Sequence, residues 1–264
     1  MPRSLCALTN SLYAILLALA FALAAGLVGS FALMRRMLLA SDVISHLALP
    51  GLGLAFLLKI NPLVGGGATL FVGTLIVWKL EQASGLATEA AIGVVFAAAL
   101  AIGAAVTPKE DLIEALFGGF QPLSLGGLIS GLAAAAFVIF FVFRFRDRLA
   151  LSFFSADLAA SAGINVRRLN LYFLLIFSLT VIAELRFMGA LLASALLIVP
   201  AATGRQLTNN FSRFLWVSSA VSVVAVGGGY TLDKLFMKGA LPGPAVGIVA
   251  AVLFGLSILK RAAK

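Results

Sequence analysis

Asp42 and His46 stand four residues apart, and His46 is the single histidine in this chain. On a helix a spacing of four stacks two side chains on one face, about a turn apart. A carboxylate and an imidazole would then point the same way. Both ligate divalent metals, and Asp-x-x-x-His uses the geometry by which His-x-x-x-His sites take two ligands from one helix. Pro50 has no N–H, which deprives the carbonyl of His46 of its helical partner and predicts a kink there. The pair opens an apolar run over residues 43–58, where an ionisable group is expensive and by default marks an ion pathway. Two readings stand on the residues alone: metal or proton handling, or a solvated pair capping the membrane end of a helix.

Whatever positions this pair must be a membrane helix. Of 264 residues, 62% are hydrophobic and 11% charged, and the mean hydropathy is +1.13, far from the composition of a soluble domain. The apolar segments are long and lack alternation, so the backbone must be satisfied within helices rather than in a barrel. The expected fold is all-α, one polytopic transmembrane domain over residues 1–264 with eight to nine spans. Apolar segments cover about 12–34, 42–58, 63–78, 87–106, 128–143, 169–185, 187–203, 214–232 and 244–259. Segment one could be taken for a signal peptide because Ala22-Leu23-Ala24 resembles a cleavage site, but its apolar stretch continues to Arg35-Arg36. Residues 79–82 read as a short polar loop, 107–127 as a longer one, and Glu89 as a solvated first-turn acid. Glu184 and Arg186 read as an interfacial ion pair. Pro200 frees the carbonyl of Leu196 as Pro50 frees that of His46.

The net charge of +9 comes from basic clusters between apolar runs, a positive-inside pattern rather than a nucleic-acid surface. With the N-terminus outside, Arg35, Arg36, Lys79, Arg144, Arg146, Arg148, Arg167, Arg168, Arg205, Arg213, Lys260, Arg261 and Lys264 lie inside, thirteen of the nineteen basic residues. The loop at about 144–168 is then cytoplasmic. Within it residues 155–163 read as a short helix, with Ser155 as N-cap, Asp157 in the first turn and Gly163 at the end. Such a helix is too short to span; it lies on the membrane surface or docks on a partner. Cys6 is the only cysteine, so no intrachain disulfide forms and thiolate metal sites are excluded within one chain.

Three stretches carry a resemblance: Asp42-Val43-Ile44-Ser45-His46-Leu47-Ala48-Leu49-Pro50-Gly51, Gly189-Ala190-Leu191-Leu192-Ala193-Ser194-Ala195-Leu196-Leu197-Ile198-Val199-Pro200-Ala201-Ala202-Thr203, and the loop from Asp157 to Gly163. Together they resemble the permease subunits of bacterial zinc, manganese and iron ABC importers, nearly end to end. The resemblance implies a multi-pass homodimeric pore in the bacterial inner membrane. It also implies two cytoplasmic ATP-binding subunits and an extracytoplasmic metal-binding protein as partners. Asp42 and His46 would be the metal ligands, and Asp157, Leu158, Ala159 and Gly163 the ATPase-coupling residues. Ser45, Pro50, Ser194 and Pro200 would belong to the pathway or gate. Two positions depart from the family pattern: Gly204 replaces the alanine that follows the threonine, and Ser155-Ala156-Asp157 lacks a proline.

The residues agree with that implication on two counts. One chain has too few ligands for a four-coordinate site, whereas a two-fold axis near Asp42 and His46 would assemble two carboxylates and two imidazoles. That set suits zinc, manganese or ferrous iron, with no thiolate or methionine cluster for cuprous copper. No Gly-x-x-x-x-Gly-Lys-Ser/Thr loop occurs, so this chain does not itself hydrolyse ATP by the usual route and its energy must come from a partner or an ion gradient. No permanently bound cofactor is expected; the metal is cargo. The alternative is a proton-coupled secondary metal transporter using Asp42, His46 or Glu89, which uptake under ATP depletion would reveal. An intramembrane metalloenzyme is disfavoured, because one histidine makes a poor catalytic metal site.

Overall fold

The computed structural model describes residues 2–37, 40–106, 125–188, 190–236 and 242–262. Side chains are described for most of these; those at 1–12, 40–42, 185–192 and 261–264 are among the exceptions. Among the described residues the secondary structure is helical: α1 (Pro2–Met34), α2 (Ala40–His46), α3 (Leu49–Leu58), α4 (Pro62–Ser84), α5 (Thr88–Val106), α6 (Leu125–Phe154), α7 (Ala156–Ser161), α8 (Val166–Met188), α9 (Ala190–Leu207), α10 (Phe211–Phe236) and α11 (Pro242–Ala262). Six of them, α1, α4, α6, α8, α10 and α11, are long and apolar enough to cross a membrane, and 43–55 and 88–103 are shorter apolar helical stretches.

The central helix is α1, which packs against α6, α8, α9 and α10. Its small and apolar residues explain that place: Ala22, Ala24, Ala25, Leu27, Val28 and Phe31 are all fully buried. The Ala22-Leu23-Ala24 motif is thus a packing surface in the core. Around α1, α11 closes against α9 and α10, while α2 to α5 form a flank joined through α2 on α9 and α4 on α8. Leu75, Ile76, Phe137, Phe140, Trp216, Val252 and Leu256 are exposed, as expected of side chains meant for lipid.

Two predicted loops are corrected. Residues 79–82 are helical, because α4 runs on to Ser84 and Gly85 ends it at φ 66°. Lys, Leu, Glu and Gln are good helix formers, and Glu81 has partners to hold it there (below). Likewise α6 continues through Arg144, Arg146 and Arg148 to Phe154, with Arg144 and Arg148 each over the Phe145 ring. Most of the predicted loop at 107–127 lies outside the described residues.

The break that matters most falls at Leu47 and Ala48. There the chain leaves α2 through tight turns, Leu47 N–H to Ile44 O at 3.0 Å and Ala48 N–H to Ser45 O at 3.3 Å. Pro50 follows as the second residue of α3, where its missing N–H leaves no vacancy. The sequence predicts a kink at this point, and the structure makes it a full interruption. α3 is pinned against α4 by Gly51 and Gly65: a Cβ on either would overlap the carbonyl oxygen of the other.

Candidate functional site

His46 is the last residue of α2, half-buried, with its ring centroid 5.8 Å from that of Phe96 on α5 and the planes at 49°. The helix break ends α2 at His46, with the ring against α5. Asp42 lies one turn earlier on the same short helix, so the backbone keeps the i, i+4 register; its side chain lies outside the described residues. Ser45 is fully buried and Pro50 is buried beside them. Among the described residues no three His, Cys, Asp or Glu side chains come together, so the described part of a single chain offers no closed cage for a metal.

Ser194 and Pro200 lie on α9, both buried. The helix passes through Pro200 without interruption, and α9 packs directly on α2. The two prolines therefore differ: Pro50 starts a new helix and Pro200 sits within one. Gly204 on the same helix has a structural counterpart. A Cβ there would overlap Ser218 Oγ on α10, and that hydroxyl is fully buried with no hydrogen-bond partner. Glycine at 204 and serine at 218 fit each other.

The short helix expected at residues 155–163 is α7. Ser155 is its N-cap, at φ −152° and ψ 113°, with Oγ accepting from Leu158 N–H at 3.3 Å, and Asp157 lies in its first turn. Ile164 N–H donates to Ala159 O at 2.9 Å across Gly163 at φ 76°, a Schellman end that favours glycine. Ala159 is fully buried against the bundle, whereas Asp157 and Gly163 are exposed and Leu158 is 55% exposed. An apolar knob and an acid thus face outward from a rigidly capped helix.

A polar cluster that sequence reasoning missed ties the ends of α1, α4, α5 and α8. Arg35 Nη2 lies 3.2 Å from Glu81 Oε1 and donates to Thr88 Oγ1 at 2.9 Å, while Nη1 donates to Asn170 Oδ1. Thr88 Oγ1 and Asn170 Nδ2 each donate to Glu81 at 2.9 Å. Arg35 is brought inward by the end of α1, where Arg36 turns to φ 62° and Met37 N–H caps Ala32 O at 2.8 Å. Burial pulls the guanidinium pKa below its usual value, and the Glu81 carboxylate opposes this. The cluster borders a cleft of about 470 Å³ that also touches Phe153 and Ala156, the root of α7. The signal in the sequence was Arg35 and Glu81 at helix ends, but nothing in spacing pairs residues 46 apart.

Glu89 is an exposed first-turn acid of α5, as expected. Glu184, expected at an interface, is instead buried: it is 1% exposed and neither carboxyl oxygen has a hydrogen-bond partner among the described residues; the side chain of Arg186, its expected partner, lies outside the described residues.

The broken helix, the capped short helix and the helical bundle converge with one comparison: the ABC 3 transport family matches over residues 8–261. The chain belongs to the ABC 3 transport family. It is similar to the manganese transport system membrane protein MntC of Listeria innocua, at 30% identity over 89% of this chain and 84% of the relative. It is also similar to the high-affinity zinc uptake system membrane protein ZnuB of Haemophilus influenzae, at 29% identity over 88% and 90%. Among solved structures, PsaBC from Streptococcus pneumoniae in complex with Fab superposes with a TM-score of 0.79 at 26% identity, over 95% of this chain and 90% of that one. The chain is therefore a membrane permease of the metal-ion ABC transporter family.

Proposed function

We propose that this chain is the membrane-spanning subunit of an ATP-binding-cassette importer that carries zinc, manganese or ferrous iron into the cytoplasm. Two copies form the pore as one permease domain each, with eight to nine spans, in the bacterial inner membrane. Asp42 and His46 of both copies hold the metal in transit as a four-ligand set of two carboxylates and two imidazoles. An extracytoplasmic metal-binding protein delivers the ion, and two ATP-binding subunits hydrolyse ATP. The exposed Asp157, Leu158 and Gly163, on a helix anchored by Ala159, couple those subunits to the bundle. Ser45, Pro50, Ser194 and Pro200 line the moving part of the path, at the contact of α2 with α9.

The observation that carries this reading is the position of His46: a lone imidazole on a helix interrupted inside the apolar bundle. Irregular backbone at membrane depth is tolerated where it is buried in protein or lines a cavity, and an ionisable side chain beside it marks an ion path. The ion must bind well enough to enter and loosely enough to leave, which a site shared between two chains allows. Uptake of radioactive manganese and zinc by cells carrying His46→Ala in place of the wild type tests this. Uptake falls to background while the protein still assembles in the membrane; wild-type uptake would refute the site.

A further inference from the structure

Glu184 is the ionisable group that this mechanism leaves unused. It is 1% exposed and neither oxygen meets a hydrogen-bond donor among the described residues. The described side chains earlier on its own helix supply none: Val181, Thr180 and Phe177, the residues three, four and seven positions before it on its face, are fully buried, and the Thr180 hydroxyl donates to Ile176 O at 2.9 Å. A carboxyl that serves the fold normally repays its burial with hydrogen bonds. This one makes none, so its role is sought in something that comes and goes.

Depth can be read along α4, which both α8 and the turn after His46 touch. The Leu47 side chain lies over Gly73, and Ile182 of α8 lies over Gly67. These glycines are six residues apart, about 9 Å of helix rise. Thr74 and Ser178, hydrogen-bonded at 2.6 Å, fix the same antiparallel register. Ala48, the next residue of that turn, lies over Gly66; Glu184, two residues beyond Ile182, therefore stands outward of Leu47, near the level at which the turn after His46 ends. The basic clusters put the start of α8, with Arg167 and Arg168, on the cytoplasmic side. Glu184 is therefore displaced outward, toward the side from which the cargo comes, on a helix that packs against both α2 and α9.

We propose that Glu184 is an outer station for the transported dication, which its carboxylate holds before the ion reaches Asp42 and His46. This rests on the metal-import reading above. Carboxylate oxygens are suitable ligands for manganese, zinc and ferrous iron. The station is closed in this conformation, and separation of α8 from α2 and α9 opens it.

The test compares Glu184→Gln, which keeps the shape but removes the anionic ligand, with Glu184→Asp and His46→Ala, each expressed in place of the wild type. Glu184→Gln lowers radioactive manganese and zinc uptake at least tenfold, and Glu184→Asp retains a measurable part. Wild-type uptake in Glu184→Gln overturns the station, while His46→Ala at background in the same experiment shows that the inner site stands regardless. A binding measurement adds a readout besides uptake. Purified chain carrying Asp42→Asn and His46→Ala, with and without Glu184→Gln, is titrated with Co(II), whose absorption reports ligation. Residual weak binding that Glu184→Gln abolishes supports the proposal; no residual binding, or binding that Glu184→Gln leaves unchanged, overturns it.

Discussion

Gly204 and Ser218 show how one atom sets a family position. The alanine expected after Thr203 would drive its methyl into Ser218 Oγ, which is buried and cannot swing into water. Gly204→Ala should destabilise the protein by about 1–3 kcal/mol through overpacking, and adding Ser218→Ala, which removes the obstructing oxygen, should recover much of the loss. Thermal melts of the three variants in detergent check this; a double variant no better than Gly204→Ala alone would show that the clash lies in the backbone. The same atomic economy governs His46, where a ring nitrogen rather than bulk is at stake, so the uptake loss of His46→Ala is expected without a matching loss of stability.

Among the elements, the interruption between α2 and α3 and the caps of α7 matter most. Replacing Gly163 by valine forces a β-branched residue to φ 76°, a conformation that costs about 1–2 kcal/mol for side-chain-bearing residues. On a six-residue helix this loosens the whole element. ATP hydrolysis by the assembled transporter should then proceed with metal uptake several-fold lower; uptake per ATP equal to the wild type would remove α7 from the coupling path. The ends of α1, α4, α5 and α8 depend on Arg35 and Glu81, whose side chains are only 14% and 21% exposed. Glu81→Ala strands a buried guanidinium, so a loss of about 3 kcal/mol is expected, read as a lowered melting temperature. Removal of Arg35 as well, by Arg35→Met, should cost less than Glu81→Ala alone, because no uncompensated charge remains.

At the scale of the molecule, a proposed two-fold axis must bring His46 close to its copy. Cys6 is the only native cysteine, so Cys6→Ser gives a background in which a cysteine at 46, from His46→Cys, is the sole thiol. A short bifunctional maleimide should join two chains through that position in membranes, seen as a band of doubled mass, and cysteines introduced at the exposed Phe140 or Val252 should not cross-link. Cross-linking at Phe140 but not at 46 would put the subunit contact elsewhere and separate the two metal half-sites.

Composition and periodicity determined that this chain is a helical membrane protein, and the missing N–H of Pro50 that the helix carrying Asp42 and His46 is disturbed there; the orientation read from the basic clusters and the site read from the Asp42–His46 spacing stand as proposals. These are local properties: hydropathy, side-chain spacing and a missing N–H act within a turn or two of the residue concerned. The short helix at 155–163 was legible for the same reason, because its caps lie in its own sequence. Only the tertiary structure decided that residues 79–82 stay helical, that Arg35 meets Glu81, Thr88 and Asn170, that Gly204 answers Ser218, and that Glu184 is buried rather than exposed at an interface. Each of those depends on which face of one helix meets another, and hydropathy shows that a face is buried without showing what it is buried against.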